Sequence, residues 1–296
     1  MASALRSLYI HIPFCRNKCA YCDFPSFKIE NEGEVSLYID YLIRELSFYR
    51  GENFRTLYIG GGSPSVVGLA DYDRLLQRIS ELFCTRSLIE FTVEANPESL
   101  SRGTIELWAS HGVNRISLGV QTFNDGVLQK VGRPTRVRDI LTAVDLLKEG
   151  GIENFNLDLI LGIAASDIYM TDLKKAVALK PAHISVYMLG ISEKTALSRM
   201  VARGEFIELT SEEYEQLFGF TAYLLSREGY RRYEISNYAQ KGFESYHNLN
   251  YWKGGEYIGA GLAAVSTIGR RRTRNTRSFV NYYEKLDRGL KPTASY

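Results

Sequence analysis

Three of the four cysteines in this 296-residue chain, Cys15, Cys19 and Cys22, lie within one short segment. An alternating apolar run at residues 8–12 predicts a short buried strand before them, and Pro13 ends that strand and begins a loop. The Cys-x3-Cys-x2-Cys spacing places three sulfurs on one tight loop, close enough to meet at a single metal centre. The fold must therefore present this loop, from the end of a strand, to a ligand.

The type of metal centre follows from the number of thiolates. Structural zinc usually has four protein ligands, so three cysteines are a poor set for it. They suit a cubane iron–sulfur cluster in which one iron is left for a ligand that is not protein. The alternative is a zinc site in which His11 or Cys84 is the fourth ligand. We expect Cys84, at a predicted helix end, to be a buried apolar thiol.

Composition limits the class of protein. With 36 basic and 34 acidic residues, no overall field indicates a nucleic-acid or anionic-membrane partner. Clustered thiols indicate a reducing compartment, which predicts a cytoplasmic location and leaves an organelle interior open. No apolar run approaches membrane length, and the residues before the first strand are too few for a signal peptide. A content of 45% hydrophobic residues is enough for a large core.

Six predicted strands alternate with helices along the first two thirds of the chain, at residues 8–12, 56–59, 89–93, 115–118, 154–160 and 183–186. This alternation predicts an α/β fold with a parallel sheet and helices outside it. The alternation lapses from about residue 192, where a helix at 211–228 and a short strand at 231–235 remain. We therefore predict one domain at residues 5–190 and a smaller C-terminal accessory region at 191–296.

Polar residues or glycines follow the ends of successive strands: Cys15, Gly61, Glu94, Gln121 and Asp158. Parallel sheets bind ligands at the carboxyl ends of their strands, so these residues are predicted to meet on one rim. Each of them alone has a structural alternative, because buried polar groups usually satisfy backbone.

The segment Gly-Gly-Gly-Ser-Pro at residues 60–64 is the most distinctive of these strand ends. Glycines let the backbone approach a ligand closely, and we expect their N–H groups to receive an anionic or carbonyl group. A tight turn without a ligand is the alternative.

The cysteine loop, with Tyr21 just before Cys22, resembles the radical S-adenosylmethionine signature. In that family the open iron is chelated by the amino and carboxylate groups of S-adenosylmethionine, and an electron from the cluster cleaves the cofactor to a 5′-deoxyadenosyl radical. The resemblance implies a 4Fe–4S cluster, S-adenosylmethionine and a six-stranded open barrel. The predicted fold is thus a partial (β/α)6 TIM-like barrel plus the smaller C-terminal accessory region.

Four further segments match one branch of that superfamily in order: Glu-Ala-Asn-Pro from Glu94, Gly-Val-Gln-Thr-Phe-Asn from Gly119, Gly132-Arg133, and Asn-Leu-Asp-Leu-Ile from Asn156. This branch contains the oxygen-independent coproporphyrinogen III oxidase and a heme chaperone. The resemblance implies these cofactor-binding residues: Tyr9, Tyr21, Gly61, Gly62, Ser63, Glu94, Gln121, Arg133, Asp158 and Val265.

Two features separate the members of this branch. Phe24 stands where the oxidase carries a fourth cysteine, and His-Asn-Leu-Asn-Tyr-Trp from His247 resembles a heme-chaperone motif. The resemblance implies a heme chaperone in which His247 is an axial heme ligand; a capped core histidine is the alternative. The segment 259–266, around Val265, resembles the oxidase instead.

The resemblance therefore predicts a chaperone that binds heme or a porphyrin and passes heme to acceptor proteins, with an electron donor for its cluster. The alternative is an enzyme that oxidatively decarboxylates coproporphyrinogen III. A third class is a binding module that zinc holds together and that has no redox chemistry. The resemblance also implies that such relatives continue beyond the position of Tyr296 into a further C-terminal domain.

Overall fold

The computed structural model of the protein describes residues 6–294; residue 5, the predicted start of the first domain, lies outside them. The described strands are β1 (Ser7–Ile12), β2 (Phe14–Cys15), β3 (Phe27–Lys28), β4 (Thr56–Gly61), β5 (Glu90–Ala95), β6 (Arg115–Gln121), β7 (Phe155–Leu161), β8 (His183–Met188), β9 (Arg231–Arg232), β10 (Asn237–Ala239), β11 (Tyr257–Ala260), β12 (Val265–Ile268) and β13 (Arg271–Arg274).

The described helices are α1 (Glu32–Leu46), α2 (Leu69–Leu82), α3 (Arg102–Ser110), α4 (Asp125–Lys130), α5 (Val137–Glu149), α6 (Ser166–Ala178), α7 (Ala196–Ala202), α8 (Ser211–Arg227), α9 (Tyr246–Trp252) and α10 (Phe279–Asp287). None of the helices in residues 6–294 is long and apolar enough to cross a membrane.

One large sheet has the strand order β13-β12-β11-β1-β4-β5-β6-β7-β8-β10-β9. The strands from β11 to β8 are all parallel, with antiparallel pairs added at both ends. Over the described residues, β13 and β9 do not pair with each other, so the sheet is open. The predicted α/β fold with a parallel sheet is confirmed.

The parallel part of the sheet contains a strand that the sequence pattern missed. β11 pairs with β1 in parallel register from Ser7–Tyr257 to Ile10–Ala260, which adds a seventh strand before β1. β11, β12 and β13 come from the predicted accessory region, as do β9 and β10 at the other end. The division at residue 190 stays a prediction, and the sheet itself runs through both parts.

The two faces of the sheet differ in chemistry. Apolar residues such as Ile116 and Leu118 of β6 are fully buried, in a core that also includes α1, α2, α3, α5 and α6. Residues at the alternate positions point to the opposite face, because side chains alternate along a strand. On β6 these are Arg115, Ser117 and Gly119, all of which line cavities. The concave face is therefore polar.

A buried carboxylate joins α1 to the C-terminal part of the chain. Glu45 is fully buried and accepts hydrogen bonds from the Gly261 N–H at 2.7 Å, the Tyr282 hydroxyl at 2.6 Å and Asn275 Nδ2 at 2.7 Å. The neighbouring Leu262 N–H donates to the Tyr38 hydroxyl at 3.0 Å, which in turn donates to the carbonyl of a β1 residue. The C-terminal segment thus supports the strand that leads into the cysteine loop.

Candidate cluster and cofactor site

The three cysteines line one cavity of about 610 Å³, here called the outer cavity, at the carboxyl ends of the parallel strands. Cys15 ends β2, and the pairing of β2 with β3 closes the loop that carries Cys19 and Cys22. A tight turn brings the Cys22 N–H to the Cys19 carbonyl, with an N–O distance of 3.1 Å. The thiols are thus held on one loop at one cavity.

The cysteine loop is anchored through Ala20, whose N–H donates to the Val131 carbonyl at 2.8 Å and whose carbonyl accepts from the Leu197 N–H at 2.8 Å. Ala20 and Tyr21 also pack against a separate apolar cluster: Val131, Ile160, Ile163, Leu189, Leu197 and Phe206. Leu197 and Phe206 belong to the predicted accessory region. That region therefore contributes directly to the support of the loop.

Glycines let the turn after β4 pack against the cysteine loop. Gly61 has a φ of +127°, and a Cβ there would lie 2.6 Å from His11 Nδ1. A Cβ on Gly62 would lie 2.5 Å from the Phe14 carbonyl oxygen and 2.9 Å from Cys15 Sγ. Larger residues would push the cysteine loop away, so glycine is required here for close approach.

The N–H groups of this turn were expected to receive a ligand, and this expectation is wrong for the geometry observed. Each donates to a protein oxygen: Gly61 to Glu94 Oε2 at 3.0 Å, Gly62 to the Ile12 carbonyl at 2.8 Å, and Ser63 to the Phe14 carbonyl at 2.8 Å. The Gly62 and Ser63 N–H groups continue the backbone pairing beyond the strand ends, and the Gly61 N–H is used by a side chain. The turn contributes close packing at the wall of the outer cavity.

Glu94 lies at the end of β5 and lines the same cavity. Besides the Gly61 N–H, its carboxylate accepts the Tyr58 hydroxyl at 2.7 Å. Burial raises the pKa of Glu94 to about 7, against the effect of these two donors. Near neutral pH this carboxyl group can thus accept a hydroxyl or an ammonium of a ligand, or donate a proton.

Arg133 connects the cysteine loop to two strand ends. One terminal nitrogen donates to Asn96 Oδ1 at 2.9 Å and to the Gly119 carbonyl, and the other lies 3.5 Å from the Tyr21 hydroxyl and 3.8 Å from Cys19 Sγ. The guanidinium is therefore fixed beside the thiols. Its Nε has no hydrogen-bond partner in the described part of the chain.

Gln121 and Asp158 complete the rim on β6 and β7. Gln121 has a φ of +70°, where the register between the two strands shifts, so its backbone is strained at the cavity wall. Asp158 accepts Asn156 Nδ2 at 2.7 Å and the Ser117 hydroxyl at 3.0 Å, and burial raises its pKa. Both side chains line the outer cavity, as the strand-end argument predicts.

A second pocket of about 230 Å³, here called the inner chamber, adjoins the outer cavity on the polar face of the sheet. It shares Phe24, Tyr58, Glu94, Ser117 and Tyr187 with the outer cavity. Tyr9 lines this chamber, and its hydroxyl lies 2.9 Å from His11 Nδ1. Val265 lies in β12 and is not among the residues that line either space. The structure therefore does not bring Val265 to the site.

His247 was expected to bind heme iron, but both of its ring nitrogens are already used. Nδ1 lies 2.9 Å from the Thr56 hydroxyl and Nε2 lies 2.9 Å from the Tyr251 hydroxyl. The ring is 1% exposed, and burial lowers its pKa to about 3. The adjacent inner chamber is smaller than the usual ligand pocket of about 300–1,000 Å³. The alternative, a capped core histidine, describes the geometry.

Sequence reasoning missed several residues of the site: Tyr58, Asn96, Arg115, Ser117 and Tyr187. The signal was present as alternation within the strands. In β6, polar Arg115 and Ser117 alternate with apolar Ile116 and Leu118, which marks one face as polar. Tyr58, Arg115 and Ser117 lie within strands, where the strand-end argument does not reach, whereas Asn96 directly follows the end of β5.

The described His, Cys, Asp and Glu side chains do not form a site for a single metal ion. Within residues 6–294, no three His, Cys, Asp or Glu side chains converge tightly enough to hold one ion. His11 is engaged by Tyr9 and by the Pro25 carbonyl at 2.9 Å, and Cys84 is exposed and does not line the outer cavity. The zinc alternative and the predicted burial of Cys84 are therefore wrong.

A cubane cluster fits the three thiols better. Cys15, Cys19 and Cys22 would each hold one iron of such a cluster, and the fourth iron would be left for a ligand that is not protein. Burial raises the pKa of Cys15 to about 11, so iron must displace a proton when it binds there. When bound, a 4Fe–4S cluster with S-adenosylmethionine supplies one-electron radical chemistry.

Residues 9–172 match the family model of the radical SAM superfamily, and the chain belongs to this superfamily. Proteins named "Heme chaperone HemW" are similar over almost all of the chain. The relative from Lactococcus lactis is 39% identical over 91% of this chain and 71% of its own length. The relative from Bacillus subtilis is 34% identical over 95% of this chain and 76% of its own.

Solved structures agree on the fold. Coproporphyrinogen III oxidase (HemN) from Escherichia coli, a radical SAM enzyme, superposes with a TM-score of 0.84 at 23% identity, over 98% of this chain and 71% of that one. A structure titled native anSMEcpe with bound AdoMet has a TM-score of 0.55 at 14% identity, over 75% of this chain and 61% of that one. Identities this low support the fold alone.

Proposed function

We propose that this protein is a radical SAM heme chaperone, which binds heme and passes it to acceptor proteins. Similarity over nearly the whole chain to proteins of that name supports this proposal. The structural observation that carries it is an exposed apolar rim at the outer cavity. Phe24, on the cysteine loop, is 64% exposed, and Tyr187 and Met188, at the end of β8, are 44% and 54% exposed.

An exposed rim of this kind suits a flat apolar ligand. Large apolar side chains exposed together mark interaction sites, and aromatic faces stack on planar rings. The outer cavity is large enough for part of such a ligand, and the thiols and Arg133 are among its lining residues. Heme would therefore lie at the mouth of the cavity, above the cluster position.

In this proposal the axial ligand of the heme iron is a residue of the exposed rim. His11, His183 and His247 have both ring nitrogens hydrogen-bonded, and His111 follows α3 on the outside of the sheet with Nε2 bonded to Asp73. Met188 lines the outer cavity with a thioether, which ligates heme iron in some proteins. We propose Met188 as the axial ligand.

The cofactor residues belong to the same proposal. Cys15, Cys19 and Cys22 would hold the 4Fe–4S cluster, with Arg133 beside it. Glu94 and Asp158 would bind polar groups of S-adenosylmethionine from the rim. An electron donor for the cluster, heme-acceptor proteins and a cytoplasmic location complete the proposal, and the clustered free thiols support that location.

The test is a heme titration of anaerobically reconstituted protein, followed by transfer of bound heme to apomyoglobin. Phe24→Ser should weaken heme binding about 2- to 10-fold, the magnitude of one aromatic contact. Leu141→Ser, an exposed apolar site on α5 outside the cavity, is the matched control. Met188→Leu should shift the Soret band.

Coproporphyrinogen turnover is measured in parallel, because the oxidase is the alternative. Turnover without heme transfer would contradict the chaperone proposal. Equal affinity of the Phe24→Ser and Leu141→Ser variants would remove the rim as the heme site.

A further inference from the structure

Arg115 carries a buried guanidinium that forms no ion pair with the described part of the chain. It is 3% exposed, at the start of β6, and lines the inner chamber. Its Nε has no hydrogen-bond partner, and no ion pair to it is found over residues 6–294. A buried charge without a partner costs several kcal/mol, so a group that is not part of this chain is expected to meet it.

Several other polar groups of the chamber are already hydrogen-bonded within the protein. Asn156 donates to Ser117 at 2.7 Å, and its carbonyl oxygen lies 2.6 Å from His183 Nδ1. Ser245 donates to Glu90 at 2.9 Å, and His247 bonds two hydroxyl groups. Within residues 6–294, Arg115 is the only Lys or Arg that lines the chamber. These groups are satisfied within the protein, whereas the Nε of Arg115 is not.

Two buried carboxylates, Glu94 and Asp158, lie close enough for the charge of Arg115 to lower their pKa against the effect of burial, but neither forms an ion pair with it in the described residues. The oxygens of Asp158 accept from Asn156 and Ser117. Glu94 also lines the chamber, but its two oxygens accept from Tyr58 and from the Gly61 N–H. No ion pair joins it to Arg115. The guanidinium thus remains available to a second, external acid group.

We propose that the inner chamber is a carboxylate-binding site, in which Arg115 pairs with a monoanionic acid group. A planar guanidinium matches a carboxylate with two parallel hydrogen bonds. A dianion such as phosphate is disfavoured because Glu94 shares the chamber. The volume of about 230 Å³ admits a short acid and excludes a tetrapyrrole ring.

The chamber adjoins the outer cavity, because five residues, among them Phe24 and Glu94, line both spaces. Two sources of carboxylate are therefore possible: a free short acid, or the acid arm of a larger ligand seated at the rim. The proposal does not depend on the proposed function, since heme propionate is only one of these sources.

The test uses the full chain without its cluster, in buffer free of carboxylates, with trifluoroacetate as the probe followed by fluorine NMR. Wild-type protein should broaden the probe signal saturably, and propionate should restore it whereas neutral methyl propionate should not. Arg115→Gln should weaken probe binding at least tenfold. Arg86→Gln, an exposed arginine, should leave it unchanged.

Stability provides an independent readout. Because Arg115→Gln removes an unpaired buried charge, the ligand-free variant should unfold at the same or a higher urea concentration than wild type, while propionate should no longer shift its midpoint. Arg115→Lys keeps the positive charge but lacks the planar guanidinium, so this variant should bind the probe with intermediate affinity. Absence of saturable probe binding to wild type, or equal binding by Arg115→Gln, would overturn the proposal.

The source is distinguished by comparing heme with its dimethyl ester. If the acid arm enters the chamber, heme should bind more tightly than the ester in wild type, and Arg115→Gln should remove that preference. Equal binding of both, with propionate still bound, assigns the chamber to a free short acid. Propionate binding without any heme binding would contradict the proposed function and would still support the carboxylate site.

Discussion

Glu45 is a sensitive test of the packing described above, because it is fully buried and joins α1 to the C-terminal segment. Burial raises its pKa from 4.5 to about 7, opposed by hydrogen bonds from Tyr282, Gly261 and Asn275. Because its pKa is higher in the folded state, Glu45 contributes its full stabilisation at pH values below its unfolded-state pKa. This stabilisation is lost as the pH rises through the folded-state pKa. The difference between the two pKa values corresponds to about 3 kcal/mol of unfolding free energy, lost between about pH 4.5 and pH 7.

The substitution Glu45→Gln replaces the titrating group by a neutral one of the same shape. We expect wild type to lose about 3 kcal/mol more unfolding free energy than Glu45→Gln between pH 5 and pH 8. The assay is urea unfolding of the cluster-free chain at both pH values, followed by circular dichroism. Glu32→Gln is the control, because this residue is exposed on the same helix.

Equal pH dependence of wild type and Glu45→Gln would refute the reasoning. A wild type that gains stability relative to Glu45→Gln as pH rises would show that the three donors outweigh burial.

Three further predictions concern the site. Gly62→Ala should lower the iron content after anaerobic reconstitution below the about four irons per chain expected of a cubane, because the new Cβ would lie 2.9 Å from Cys15 Sγ. Gly68→Ala is the control and should keep the wild-type iron content, because a Cβ there meets nothing within 4 Å. Iron analysis of both variants is the measurement. Glu94→Ala should weaken S-adenosylmethionine binding in calorimetry at unchanged iron content, and unaltered affinity would remove Glu94 from the cofactor site. His247→Ala should cost about 2 kcal/mol or more in urea unfolding while leaving the Soret band of bound heme in place, since the ring is a buried hydrogen-bonding group; a shifted band would restore it as a ligand.

Much of this site could be predicted from sequence because its parts are local. The cysteine spacing, the glycine turn and the residues after each strand are read directly along the chain. A parallel sheet then brings strand ends together, so Glu94, Gln121 and Asp158 meet the cysteines at one cavity. Val265 and His247, which do not line the outer cavity, come from the C-terminal part, where no regular alternation indicated their place.

Sequence by itself determined the superfamily, the parallel sheet and the position of the cysteine loop, because spacing and periodicity are properties of neighbouring residues. Only the tertiary structure decided that β11 joins the sheet beside β1, that the turn N–H groups are used within the protein, and that His247 is enclosed. The tertiary structure also decides that Nε of Arg115 has no hydrogen-bond partner within residues 6–294. These outcomes depend on pairing between residues far apart in the chain, and hydrogen-bond partners at that distance leave no local pattern.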